Sequence, residues 1–313
     1  MGTNTVLVIG GTGFVGRHVV NRLAAQGYRV LVPTRRRESA RHLILLPTVE
    51  VIETDVADPV VLGRLATDAV AVINLAGILN ETGRDTFEHV HVELSRQTIA
   101  ACKAGGVRRL LHMSALHADP HGASRYLRTK GEAEADVMAS GLDWTIFAPS
   151  VIFGREDAFL NLFARLSRLL PIMVLAGANA RFQPIHVGDV AQCFVESLHI
   201  DATVGRRYVL CGPKAYTLRE LVRYTGALTG HVRPIIALGP RLSQLQAFML
   251  EHLPGKLMTR DNLASMRKDS VCEDPFPPEF GFAPAPLEAL APGYLSPAAV
   301  RSRYDDYRTQ SGR

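Results

Sequence analysis

The chain has 313 residues, 47% of them apolar and 21% charged, a length of about two ordinary domains and enough to bury a core without the help of a disulfide or a metal. Its four cysteines, Cys102, Cys193, Cys211 and Cys272, are too few and too scattered for a disulfide scaffold. None forms a CxxC pair, which excludes zinc ribbons and thioredoxin-like redox motifs. Cys102 and Cys193 lie in apolar helical contexts and are predicted to be buried thiols. The formal net charge is +5, and 30 of the 35 basic residues are Arg. No basic run rivals a nucleic-acid tail, the densest being Arg35-Arg36-Arg37, so no nucleic-acid partner is expected. An anionic cofactor or an anionic membrane surface accounts for the balance. No signal or transit peptide is visible and no window of 18 residues is apolar without charge, so the protein is expected in the cytoplasm, soluble or peripheral on the inner face of the membrane.

Strand-like and helix-like segments alternate from the start. Val6 to Ile9 is a short continuous apolar run, as in a strand buried on both faces. Arg17 to Gln26 reads as a helix with Val19, Val20 and Leu23 on one side. Strands are predicted at Arg29 to Pro33, Val49 to Ile52 and Ala69 to Leu75. A long helix over Phe87 to Ala104 follows, then a strand at Arg109 to Met113, a helix at Ser124 to Ala139 and a strand at Asp143 to Ala148. Such alternation implies a parallel sheet with helices on both faces. After Pro149 the pattern loosens. Helices are predicted at Ala158 to Leu169, Val187 to Leu198, Leu218 to Thr229 and Arg241 to His252, with a short strand at Arg207 to Leu210. Phe276 to Pro297, rich in Pro and Gly, reads as an extended strap, and the last dozen residues, which are polar, as a frayed end.

Gly10-Gly11-Thr12-Gly13-Phe14-Val15-Gly16 places GxxGxxG between the first strand and the first helix. Glycines there permit a tight turn and close approach of the backbone to a pyrophosphate, which the helix N-terminus attracts. All seven residues are candidate cofactor contacts. At the end of the second strand an NAD site carries an acid for the ribose 2′-hydroxyl. This chain has Thr34, Arg35 and Arg36 there. An acid repels a 2′-phosphate and a guanidinium pairs with it, so the cofactor is predicted to be NADP(H). The expected architecture is α/β: a doubly wound parallel Rossmann sheet with a smaller helix-rich C-terminal lobe. The boundary is placed between residues 1–150 and 151–313, with elements around 183–212 returning to the first domain and the second lobe covering the nicotinamide end.

The motifs resemble the short-chain dehydrogenase/reductase superfamily in its extended, atypical branch. Asp55-Val56 looks like the family's adenine-contacting pair, and Asn74-Leu75-Ala76-Gly77 like its fourth-strand motif. Ser114 ends a strand, Tyr126 and Lys130 form YxxxK, Pro149 follows the sixth strand with Ile152 just beyond, and Gln183-Pro184-Ile185-His186-Val187-Gly188-Asp189-Val190 resembles the lobe-linking segment. The resemblance implies cofactor contacts at Asp55, Val56, Leu75, Ala76, Gly77, Lys130, Pro149 and Ile152, and a catalytic set of Ser114, Tyr126 and Lys130. It narrows further. Ser124-Arg125-Tyr126-Leu127-Arg128-Thr129-Lys130, Ile152-Phe153-Gly154-Arg155-Glu156-Asp157-Ala158-Phe159-Leu160-Asn161 and Thr259-Arg260-Asp261-Asn262 are similar to the nucleotide-binding accessory subunits of respiratory complex I. That family implies tightly held NADPH without established turnover, and a respiratory or quinone-synthesis complex as partner. One departure is His91, where many members carry an Asn of a proton relay.

Tyr126 and Lys130, four apart on a helix, face one way. A neighbouring ammonium and the cofactor's positive nicotinamide are expected to favour the phenolate, so Tyr126 would act as general acid in carbonyl reduction or as base in alcohol oxidation. Ser114 would hold the substrate oxygen and Lys130 the nicotinamide ribose. His89, His91, His112, His117 and His121 cluster in sequence without ligand spacing, so no metal is expected. Leu238 to Leu257 mixes Leu, Phe and Met with Arg241, His252 and Lys256, and reads either as core packing or as an amphipathic helix touching a membrane or a partner. Two functions stay open: a nucleotide-binding subunit, or an NADPH-dependent oxidoreductase on an apolar carbonyl or quinone-like substrate. A nucleotide-sugar epimerase or dehydratase is disfavoured because Phe159 to Leu175 is strongly apolar where a diphosphate would need polar groups.

Overall fold

The computed structural model describes residues 4–253 and 255–296. The polar end expected to fray, and Pro297 of the strap, lie outside the described residues. The chain divides into two compact units. The first takes the residues up to Pro149 together with Val187–Leu210 and Pro277–Phe282; the second takes Ser150–His186, Cys211–Phe276 and the residues from Ala283 on.

The first unit is built on a seven-stranded sheet. Its strands are β1 (Thr5–Ile9), β2 (Arg29–Thr34), β3 (Val49–Glu53), β4 (Ala69–Asn74), β5 (Arg109–Met113), β6 (Asp143–Pro149) and a strand at Arg206–Leu210. The spatial order is Arg206–Leu210, β6, β5, β4, β1, β2, β3, and every pairing is parallel. The order reverses between β1 and β4, the crevice where doubly wound sheets bind ligands. β1 is buried along its whole length, as its unbroken apolar run requires, and Leu7, Ile9, Val72, Leu110 and Ile146 share a core with Leu62 and Cys102 from the helices.

Helix α1 (Phe14–Ala25) starts three residues earlier than Arg17, directly off the glycine turn. Helix α2 (Pro59–Ala66) is absent from the sequence expectation, although its start carries a strong local signal. Asp58 caps the amides of Val60 and Val61, and Pro59 opens the helix where its missing N–H costs nothing. The long helix predicted over Phe87 to Ala104 is not uniform. Glu88–Glu93 is wound as a π-turn and only Leu94–Ala104 is regular α-helix, α3. His91, within this wider turn, is 1% exposed. Helix α4 (Arg125–Met138) is capped by Ser124, whose hydroxyl accepts from the Leu127 amide.

The second unit holds α5 (Phe159–Leu169), α7 (Leu218–Leu228), α8 (Pro240–Glu251), α9 (Arg260–Ser265) and three two-stranded pairs, while α6 (Val187–Glu196) belongs to the first unit. Phe153, Leu160, Phe163, Leu221 and Leu287 form its core. The two motif strings after Pro149 have structural jobs here. Asp157 accepts from the amides of Gly154, Leu160 and Asn161 and from the Tyr294 hydroxyl, fixing the start of α5. Thr259 and Asn262 form a reciprocal capping box on α9. Cys211 and Cys272 form a disulfide across a separation of 61 residues. The two cysteines gave no pairing signal in sequence; Gln183 brings their segments together, its side chain accepting from the Cys272 amide and donating to the Gly212 carbonyl. Cys102 and Cys193 are free and buried. The strap is not wholly extended: Leu287–Leu290 and Pro292–Leu295 are single helical turns whose Leu287, Ala291 and Leu295 enter the second core.

The segment from Leu238 to Leu257 is not core packing. Helix α8 buries only Ser243 and Ala247 and exposes Leu242, Leu245, Phe248 and Met249, the last at 61%. It is held by polar groups: Gln246 donates to the Val174 carbonyl and accepts from the Ala176 amide. Arg260 pairs with Glu251 and lies over the Phe248 ring. Among the described residues no helix is long and apolar enough to cross a membrane.

Candidate functional site

The site begins at the turn between β1 and α1. Gly10 has φ +78°, a left-handed conformation that favours glycine. The Gly13 amide donates to the Gly10 carbonyl at 3.0 Å, closing the turn. A Cβ on Gly16 would overlap the Gly10 carbonyl and the Gly11 backbone. Gly13 is the N-cap of α1 and has no side chain to bond the first amides, and the first helical turn carries no acid. The amides and the positive end of the helix are therefore left for an anion. Gly11 and Gly16 are buried, Thr12, Phe14 and Val15 half-buried, and Gly13 exposed.

The turn meets the end of β4. A Cβ on Gly10 would sit 3.0 Å from the Leu75 carbonyl carbon and 3.1 Å from the Ala76 nitrogen. Asn74 shapes this corner, its side-chain carbonyl accepting from the Ala76 amide and its amide donating to Ser95. Gly77 then passes the end of Lys130: a Cβ there would lie 3.2 Å from Nζ. Lys130 donates to the Met113 carbonyl at 3.0 Å and to the Ala76 carbonyl at 3.3 Å. Gly10, Leu75, Ala76, Gly77 and Lys130 are thus neighbours, and Ser114 follows Met113 directly.

The Ser114 hydroxyl is buried and has no partner among the described residues. The Tyr126 ring meets the stacked Phe87 and His91 rings edge-on, with centroids 6.0 and 5.5 Å away. Burial pushes the Tyr126 hydroxyl up to about 12. Burial also brings Lys130 down to about 8, although Glu134 opposes the change. Desolvation disfavours the charged form of each group, so the phenol keeps its proton. A phenol held protonated has a proton to give and no lone base to accept one, although its raised pKa makes it a weaker acid than free tyrosine.

His91 is neutral, brought down to about 2 by burial, then by the charges of Lys130 and His112. Its Nε2 accepts from the Ile78 amide at 3.2 Å, which leaves the proton on Nδ1 to be donated to the Thr129 hydroxyl at 2.9 Å. Thr129 passes its own proton to the Arg125 carbonyl. Both ring nitrogens are therefore committed. The remaining histidines join no metal-binding group among the described residues.

At the end of β2, Thr34 is buried and exchanges hydrogen bonds with the Arg36 backbone. Arg36 is exposed. Arg35 forms a bidentate pair with Asp85, at 2.8 and 2.9 Å. Asp85 lies 50 residues away and carried no signal in the sequence. Asp55 accepts from the Ala57 amide and lies within electrostatic reach of Arg35, while Val56 packs on the first core. Pro149 ends β6, its carbonyl accepting from the Leu116 amide. Ile152 belongs to the second unit, where it pairs with Ile185 in a short parallel ladder.

A family model described as NAD(P)H-binding matches residues 10–163. A mouse mitochondrial protein, NADH dehydrogenase [ubiquinone] 1 alpha subcomplex subunit 9, is 36% identical over 227 residues, covering 71% of this chain and 60% of the relative. The chain thus spans about three fifths of the curated complex I relatives it first matches. Sterol demethylase protein B of Methylococcus capsulatus is 30% identical over 284 residues, covering 82% of this chain and 84% of the relative. In fold, the chain is similar to the NADPH-dependent quinone oxidoreductase of Escherichia coli solved with NADPH. The TM-score is 0.73 at 17% identity, over 93% of this chain and 99% of that one. With a bare-amide glycine turn at the β1–β4 crevice and relatives of this kind, the chain belongs to the NAD(P)H-binding, extended short-chain dehydrogenase/reductase-like family.

Proposed function

We propose that the chain holds NADP(H) as a nucleotide-binding component of a respiratory-chain or quinone-synthesis complex. The observation that carries this reading is the contrast within the site. The nucleotide side offers bare α1 amides and the exposed Arg36, with Arg35 beside it in a solvent-open pair with Asp85, while His91 has both nitrogens spent on Ile78 and Thr129. A histidine so engaged passes no proton onward without first breaking a buried hydrogen bond, which is costly. The complex I relatives support the choice of partner.

A second reading rests on Ser114 and Tyr126. A buried hydroxyl without a partner just after β5 and a protonated phenol on α4 suit reduction of an apolar carbonyl or quinone. Bound NADPH would supply the hydride, Ser114 would hold the substrate oxygen, Tyr126 would donate the proton, and Lys130 would orient the ribose. The likeness to a quinone oxidoreductase is one of fold and adds nothing to the choice of substrate.

The cofactor assignment is tested by fluorescence titration. NADPH is expected to bind at least about tenfold tighter than NADH, about 1.4 kcal/mol, and Arg35→Ala to remove most of that difference. Equal affinities in the parent protein would refute it.

The exposed face of α8 supports a peripheral membrane contact from the cytoplasmic side. Between Leu238 and Arg260 the chain carries Arg241, Lys256 and Arg260 against the single acid Glu251. The neighbouring Val174 and Ile236, paired across two strands, are also exposed. The protein is expected to sediment with phosphatidylcholine vesicles containing phosphatidylglycerol at low salt and to be released at high salt. The double change Leu245→Glu and Met249→Glu should abolish sedimentation. No sedimentation at any salt would refute the contact.

A further inference from the structure

Arg35 is not waiting for a ligand. Both of its terminal nitrogens donate to the two carboxylate oxygens of Asp85, the same fork that a 2′-phosphate would use. The pair is open to solvent, with side chains 62% and 27% exposed, so an incoming anion can reach it. Asp85 is held in place by a small hairpin. The Thr82 amide donates to the Asp85 carbonyl, the Asp85 amide donates to the Thr82 carbonyl, and Gly83 supplies a left-handed residue at the turn. The other side of the hairpin is tied down as well. Glu81 accepts from the Phe87 amide and pairs with Arg125, the residue before Tyr126. The acid therefore faces Arg35 from a constrained loop rather than from a floppy one.

We infer that Asp85 is a specificity-determining residue of the nucleotide site: its carboxylate competes with the cofactor's 2′-phosphate for the Arg35 guanidinium. The inference rests on the reading that Arg35 meets that phosphate. Displacing Asp85 costs the pair, and its charge repels a phosphate at close range. Both effects weaken NADPH and leave NADH, which has no phosphate there, untouched. The site then discriminates less sharply than its arginines alone would make it.

The test is a double-mutant cycle on Arg35 and Asp85, read as the affinities for NADPH, NADH and adenosine 2′,5′-bisphosphate. Asp85→Asn is expected to tighten NADPH and the bisphosphate about fivefold, the scale of an exposed ion pair. NADH should change by less than about twofold. In the Arg35→Ala background the same change should bring clearly less tightening, because only the repulsion is left to relieve. Asp85→Ala serves as the second variant, and an unchanged melting temperature shows that the hairpin persists. If Arg35→Ala leaves the preference for NADPH intact, the underlying reading fails. If Arg35→Ala removes the preference while Asp85→Asn leaves NADPH unchanged or weaker, the competition fails alone. Equal tightening with and without Arg35 also overturns it, because the effect would then be bulk charge.

Discussion

Gly16→Ala is expected to lower NADPH affinity at least about 100-fold, a loss of about 2.7 kcal/mol. The added methyl would overlap the Gly10 carbonyl and the Gly11 backbone. These are backbone atoms, so no side chain can rotate out of the way. The turn must open, and the α1 amides no longer converge on one point. Thermal melting with and without NADPH gives a second readout. At a ligand concentration 100 times Kd the parent gains about 2.7 kcal/mol of stability by linkage, and the variant should gain almost nothing. Gly63→Ala is the control: that glycine lies within α2, where an added Cβ meets no heavy atom within 4 Å. It should leave affinity unchanged. A Gly16→Ala protein that binds NADPH normally would show that the turn does not hold the pyrophosphate.

Tyr126→Phe separates the two proposed functions. In a working reductase the ring still packs against Phe87 and His91, so NADPH affinity stays nearly constant. Only the proton donor goes, and hydride transfer to quinones or apolar ketones should fall by about 10²- to 10⁴-fold. In a nucleotide-holding subunit the parent protein already shows no NADPH oxidation above background, and the variant matches it. The nucleotide-holding role proposed above expects the second outcome. Robust parent turnover that collapses in Tyr126→Phe would overturn that expectation.

Much of the nucleotide half was legible because its signals are local. An apolar run followed by GxxGxxG dictates a buried strand, a turn and a helix N-terminus within a dozen residues, and the structure has all three in that order. Asp58-Pro59 was an equally local signal for α2 and went unread. YxxxK needed only helical spacing to place both residues on one face. Its electrostatics did not follow from spacing, since the protonation of Tyr126 and Lys130 depends on burial by distant segments.

The sequence by itself determined the α/β class, the glycine turn and the arginines at the end of β2, because each follows from the conformational limits of a few consecutive residues. Tertiary structure alone decided what those residues meet. Arg35 finds Asp85 across 50 residues, and Cys211 meets Cys272 across 61. His91 is buried within a helical turn wound as a π-turn. The periodicity of α8 stated that it had an apolar side, but not which way that side would face. The helix is anchored by Gln246, Ser243 and Ala247, so its large apolar residues are left outside. Hydrophobic pattern fixes a helix's two faces, whereas orientation depends on which neighbour supplies the better contacts.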